Sequence, residues 1–214
     1  MLLTSTEEMG HPKTEGVENV EVESSLINKY KYLLFSVIII TGASCIILTI
    51  YKSIYEDGFL IGAKELSIYT MVFNTIVLFT AGLTMSLSFE SFKNKSFPLY
   101  GFLHKITVLL VVVFIANRFM EYTTLIDYGL IPGSALMLTK SKGESIFFLL
   151  YYITTGVQLL FTIAAMFNII VVGKIIKHEE TTVDNIEKVQ KTSGMFCSAL
   201  IMWLFVSAFI YLII

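Results

Sequence analysis

This sequence predicts an all-α integral membrane bundle of five transmembrane helices, and three observations predict it. Charge is scarce: Asp, Glu, Lys and Arg make up 15% of the 214 residues, where a water-soluble domain carries roughly 25%. Mean hydropathy is +0.76 and 55% of the residues are hydrophobic. Five runs, 32–51, 66–89, 99–120, 145–173 and 192–214, reach the length of about 20 apolar residues that a helix needs to cross a bilayer. None shows the period-two alternation of a membrane barrel. In lipid the backbone must bond to itself, so such runs are expected to be helices.

The elements follow in order. Residues 1–29 are of different composition, with six Glu in "STEEMGHPKTEGVENVEVESS" and little that could build a core. They are expected to form a disordered acidic tail, followed by a membrane domain over 30–214. No basic segment leads into an apolar one at the start, so the first span is expected to act as an uncleaved signal anchor. The first, second, fourth and fifth spans contain no charged residue. The third is charge-free only between Lys105 and Arg118; snorkelling of both cations extends its usable length. The fourth, at 29 residues, makes a helix of about 43 Å and is expected to tilt or project.

Orientation follows from the basic residues near the span ends. An N-terminus inside collects ten Lys on the cytoplasmic side: 13, 29, 31, 93, 95, 105, 174, 177, 188 and 191. It leaves five basic residues outside: Lys52, Lys64, Arg118, Lys140 and Lys142. The expected topology is therefore N-terminus cytoplasmic and C-terminus outside, in a cell (inner) membrane. The loop 121–144, with Pro132, Gly133 and Gly143, reads as an ordered, turn-rich connection. The segment "KHEETTVDNIEKVQK" reads as a continuation of the fourth helix.

The chain offers little chemistry. His11, His104 and His178 are not grouped as haem ligation or a metal centre requires. Cys45 and Cys197 lie in different spans and read as small apolar side chains. No phosphate-binding glycine loop, HExxH or nucleophile elbow is present. A secondary transporter would show repeats, interrupted helices and midplane polar sites, and the first two are not found. The mid-span polar residues Asn74, Gln158 and Asn168 are expected to bond between helices. Small residues four apart, such as Thr80, Thr84 and Ser88 or Gly194 and Ser198, suit close helix approach, within this chain or against another subunit.

One charged pair stands out. In "NRFMEYTTLIDYG" (117–129), Arg118 and Glu121 lie three apart on one helix face, where charged side chains can meet. Two readings are open. The pair and Tyr122 can be an interfacial anchor where the helix leaves the lipid, flanked by Tyr128. They can equally be a structural pair between helices.

Four passages, in order, resemble the subunit III family of haem–copper oxidases, in its short five-span form found beside nitric oxide reductases and some quinol or cytochrome oxidases. "NTIVLFTAGLTMSLS" (74–88) resembles NT-x-VLL-x-SS-x-TM-x-x-A. "RFMEYTTLIDYG" (118–129) resembles K-x-x-EY…G, with Arg118 at the basic position and Glu121–Tyr122 intact. "FFLLYYITTGVQLLFTIAA" (147–165) resembles F-x-x-FY-x-x-TG-x-H-x-x-HV-x-x-G. "MFCSALIMWLFVSAFIYLII" (195–214) resembles YWHFVD-x-VWLFLFP-x-x-YL, keeping Trp203, Leu204 and Phe205. The likeness covers about 30–214.

The departures matter as much. Gln158 and Phe161 stand where the family has two histidines; Cys197 and Leu200 stand where it has histidine and aspartate. The resemblance implies a non-catalytic accessory subunit of a respiratory haem–copper enzyme, an oxidase or a nitric oxide reductase, which supports assembly and stability of the catalytic subunit. It implies no cofactor, no catalytic residue and no metal site in this chain. Its partners would be a haem-bearing membrane subunit and lipid, with no nucleic acid. The five-span form lacks the two helices that make the family's lipid-holding cleft. Structural roles are expected for Arg118, Glu121, Tyr122, Gln158, Asn74 and Trp203. The alternative is a scaffold of the same fold recruited to an unrelated membrane complex, such as a copper monooxygenase.

Overall fold

Helix is the only regular structure among the described residues of the computed structural model, which are 35, 38–176 and 183–213. The expected acidic tail, 1–29, lies outside them. From Ile38 on, the elements are α1 (Ile38–Ile54), α2 (Glu56–Lys64), α3 (Ile68–Lys93), α4 (Phe97–Asp127), α5 (Ala135–Thr139), α6 (Lys142–Ile176) and α7 (Val183–Ile213). Four of them, α3, α4, α6 and α7, are long and apolar enough to cross a membrane. A fifth span results if α1 and α2, which meet at a 115° bend, count as one.

Several boundaries differ from those expected. The third span does not stop at residue 120: α4 runs on to Asp127, making about 46 Å of helix. Its end has a local cause. Gly129 takes φ +70°, Leu130 N–H bonds Leu125 C=O and Gly129 N–H bonds Ile126 C=O. This double bond pattern closes a helix with a left-handed residue after its cap. The same pattern ends α3, with Lys95 at φ +59°, Ser96 N–H on Ser91 C=O and Lys95 N–H on Phe92 C=O. The segment before the last span, read as a continuation of the fourth helix, instead contributes from Val183 onward to the start of α7. Residues 52–65, between the first two expected spans, are largely helical in α1 and α2.

Helix starts are built by side chains. Ser67 accepts from Thr70 N–H at α3, and Ser134 from Met137 N–H at α5. At α6, Ser141 Oγ accepts from Glu144 N–H while Glu144 Oε2 accepts from Ser141 N–H, a reciprocal capping box. Lys140 Nζ holds the same Glu144 at 3.0 Å and Glu65, beyond the end of α2, at 3.8 Å.

The four long helices pack through one repeating spacing. One row of buried positions runs through 71, 74, 78, 81, 85, 88 and 92 in α3 and through 107, 111, 114, 118, 121 and 125 in α4, with further buried residues such as Val77 and Ser91 beside it. Similar rows run through 148, 151, 155, 158, 162, 165 and 169 in α6 and through 189, 192, 196, 199, 203, 206 and 210 in α7, flanked by others such as Phe147, Phe161 and Met202. Alternating steps of three and four average 3.5 residues, the repeat that keeps one face toward a left-handed partner. The outward faces are apolar too, as with Ile76, Leu109, Leu160 and Phe205, and suit lipid.

Candidate functional site

The charged pair lies inside this packed face. Arg118 is 0% and Glu121 8% exposed. Both occupy the inward heptad positions of α4, so the reading of an exposed interfacial anchor does not describe them; Tyr128, by contrast, is 67% exposed. Arg118 Nη1 donates to Glu121 Oε2 at 2.5 Å, and the ion pair joins residues on adjacent turns.

The surrounding helices satisfy what remains. Tyr151 on α6 donates its hydroxyl to Glu121 Oε1 at 2.5 Å and accepts from Arg118 Nη1 at 3.4 Å. Arg118 Nη2 donates to the Tyr122 hydroxyl at 3.4 Å, which donates to Thr155 Oγ1 at 2.8 Å. Thr155 closes the circuit by donating to the Tyr151 carbonyl at 2.6 Å. Both carboxylate oxygens are engaged. Of the guanidinium nitrogens only Nε lacks a partner.

Aromatic rings complete the enclosure. The guanidinium carbon lies 5.1 Å from the Trp203 ring, 5.0 Å from Tyr122 and 5.8 Å from Tyr151, distances at which a ring quadrupole attracts a cation. Trp203 on α7 is tied to α3 by its indole N–H, which donates to Thr75 Oγ1 at 3.1 Å. It is wedged edge-on against Phe114 of α4 at 5.2 Å. Above Tyr151 stand Phe147 and then Phe59 of α2, with ring centroids 6.4 and 5.5 Å apart in turn. A continuous column results: Phe59, Phe147, Tyr151, Arg118, Trp203, Phe114.

Arg118, Tyr151 and Trp203 lie at similar distances from the ends of their helices. Arg118 lies nine residues before the end of α4, Tyr151 nine after the start of α6, and Trp203 ten before the end of α7. Each is thus about 14 Å from a helix end. At that end α2 crosses over α6 on glycine: a Cβ on Gly58 would come within 2.7 Å of the Gly143 Cα, and one on Gly62 within 2.6 Å of the Phe147 ring. Only bare backbone permits this approach, and it seats Phe59, itself fully buried, on Phe147.

Asn74 and Gln158 lie nearby on the same inward faces, while Asn168 is half-buried and further along α6. Asn74 Oδ1 accepts from Asn117 Nδ2 at 2.8 Å, joining α3 to α4 beside Thr75 and Arg118. Gln158 Nε2 donates to the Ala199 carbonyl at 2.7 Å, joining α6 to α7 one turn from Trp203. Asn168 bonds the Ala164 carbonyl of its own helix at 3.2 Å and Met195 Sδ of α7 at 3.4 Å. Tyr151, Thr155, Thr75, Asn117 and Phe59 were not foreseen. One signal could have found part of this set. Tyr151, Thr155, Gln158 and Thr162 form a polar stripe at steps of four, three and four within an apolar run, and all four are buried.

Chemically the site is closed. Its charges face each other: Glu121 Oε2 is taken by Arg118 of the same helix and Oε1 by Tyr151 of α6. Among the described residues, no three His, Cys, Asp or Glu side chains gather as a metal site. Cys45 and Cys197 are both free thiols.

No protein-family model matches this chain, and no curated protein matches it. The fold and the site therefore define a class: a multi-pass helical membrane protein whose helices are clasped by a buried, internally compensated ion pair.

Proposed function

We propose that this protein is a non-catalytic accessory subunit of a respiratory haem–copper enzyme, an oxidase or a nitric oxide reductase, embedded in the cell (inner) membrane. Its N-terminus is cytoplasmic and its C-terminus outside, as the distribution of basic residues favours. The proposal joins the resemblance to subunit III with one structural observation that supports it. Glu121, within the passage that most resembles the family, spends both carboxylate oxygens on holding α4 to itself and to α6. A side chain so placed binds helices together.

The family positions that would titrate, replaced here by Gln158, Phe161, Cys197 and Leu200, fit the same role. Gln158 is used as a fixed hydrogen-bond donor to α7, Phe161 is buried as an apolar side chain, and Leu200 packs against Gly82 of α3. What remains is a rigid bundle with an apolar exterior, suited to standing beside a larger membrane subunit. The alternative is a scaffold of the same fold in a different complex, such as a copper monooxygenase, an option that the lost histidines keep open.

The test is purification of the tagged chain from its native membrane in mild detergent, followed by optical spectra and mass spectrometry of the copurifying proteins. A haem-bearing partner that binds carbon monoxide supports the proposal, and its peptides separate oxidase from nitric oxide reductase. Recovery with a haem-free complex refutes the respiratory assignment and transfers the scaffold role to that complex.

A further inference from the structure

The connection between α4 and α6 carries a second feature, independent of the ion pair. Residues 128–141 lie outside the long helices, yet they expose apolar side chains: Tyr128 and Leu138 are 67% and 81% exposed, and Ile131 and Leu136 are also open. A water-facing connection of this length would be polar. Apolar groups grouped in this way mark an interaction surface. Behind them runs a groove of about 210 Å³ between the α5 turn and the first turns of α6, walled by Pro132, Gly133, Met137, Leu138, Ile146 and Leu149. Ser145, also on its wall, turns its hydroxyl to the Met137 and Ser141 carbonyls and offers the groove no free polar group.

The charge on the helix that walls the groove identifies the occupant. Two lysines stand at the start of α6, and they differ. Lys140 is held between Glu144 and Glu65. Lys142 is exposed and has no carboxylate partner among the described residues. It lies three and four residues before Ser145 and Ile146, hence on the helix face that walls the groove. An apolar slot beginning at a helix terminus and opening beside one uncompensated ammonium fits an acyl chain joined to an anionic headgroup.

We propose that this connection lies in the headgroup–acyl boundary and seats one anionic phospholipid, with an acyl chain in the groove and the phosphate at Lys142. Apolar residues of the connection then meet lipid rather than water. One cation near an anionic headgroup favours it by about fivefold.

Native mass spectrometry of the full chain in detergent, given equal phosphatidylglycerol and phosphatidylcholine of matched chains, tests this. The expected result is one retained lipid, with phosphatidylglycerol favoured about fivefold. Lys142→Gln is expected to bring that ratio to about one, and Leu138→Ser to lower retention of both lipids. Lys64→Gln, another exposed cation, is expected to leave the ratio unchanged. All three positions are exposed, so folding is not at issue. Equal retention of the two lipids by the wild-type chain overturns the proposal, as does an unchanged ratio in Lys142→Gln. Loss of the preference on adding inorganic phosphate would assign Lys142 to free phosphate instead. A photo-crosslinker at position 138 that labels a polypeptide rather than phospholipid in the native membrane would also overturn it. Because the isolated chain is used, failure here leaves the accessory-subunit proposal untouched.

Discussion

Replacing Glu121 by Gln keeps the shape of the side chain and an acceptor for Tyr151, but it removes the only formal negative charge facing Arg118. The separation of 2.5 Å corresponds to roughly 7 kcal/mol of gross attraction at an effective dielectric near 20. Desolvation of both groups offsets most of it, so the pair need not be net stabilising. The cost of breaking it is another matter. With Arg118 fully buried, the guanidinium is left uncompensated, and such losses amount to about 3–5 kcal/mol. Arg118→Met is expected to cost less than Glu121→Gln, because the stranded carboxyl can take up a proton while the guanidinium cannot release one. The double variant, Arg118→Met with Glu121→Gln, removes both charges and is expected to be more stable than the worse single variant by about 2 kcal/mol or more. Equilibrium unfolding in mixed detergent micelles measures all three, with the exposed Asp127→Ala as a control expected within about 0.5 kcal/mol of wild type. Single variants that each cost under about 1 kcal/mol and add within about 0.5 kcal/mol would show a solvated, uncoupled pair, and the clasp would have to be abandoned.

Three further outcomes follow from the geometry. Gly58→Ala forces α2 off the Gly143 backbone and is expected to destabilise by about 1–3 kcal/mol; a cysteine placed at position 147 should then become reactive to water-soluble maleimide, which it should not be in the parent. Trp203→Phe keeps the ring but deletes the N–H bonded to Thr75, and is expected to cost about 1–2 kcal/mol in the same unfolding assay. Gln158→Leu removes the α6–α7 bond to Ala199 and is expected to cost about 0.6–1.7 kcal/mol; a loss above 3 kcal/mol would show that Gln158 holds more than this one bond.

Four of the expected spans were legible in the sequence because lipid leaves the backbone almost no alternative; the first instead ends in a 115° bend from α1 into α2. Long uncharged runs must become helices wherever the surrounding medium cannot bond N–H and C=O groups. The i, i+3 spacing likewise put Arg118 and Glu121 on one face without any structure. Ends were less legible where the ending residue was not proline. Gly129 closes α4 seven residues past the expected stop, and it was read as part of a loop. The helix before it carries Arg118, Glu121 and Asp127, and those charges were taken for the edge of the membrane.

Which face of each helix turns inward was decided by the tertiary structure. In water the core side of a helix is apolar and the other side polar, so periodicity reveals it. In a bilayer both sides are apolar: Val111 is fully buried while Leu109, two residues earlier, is exposed, and nothing in their chemistry distinguishes them. Only buried polar groups break this symmetry. They mark the inner face at Asn74, Thr107, Arg118, Tyr151, Thr155 and Gln158, because each needs a partner that lipid does not offer. The sequence by itself determined that the chain spans a membrane as helices and that one ion pair lies on one of them. The register that brings Tyr151, Trp203 and Phe59 around that pair was decided by packing, since it depends on glycine and ring contacts between residues 85 to 88 positions apart, which no local pattern encodes.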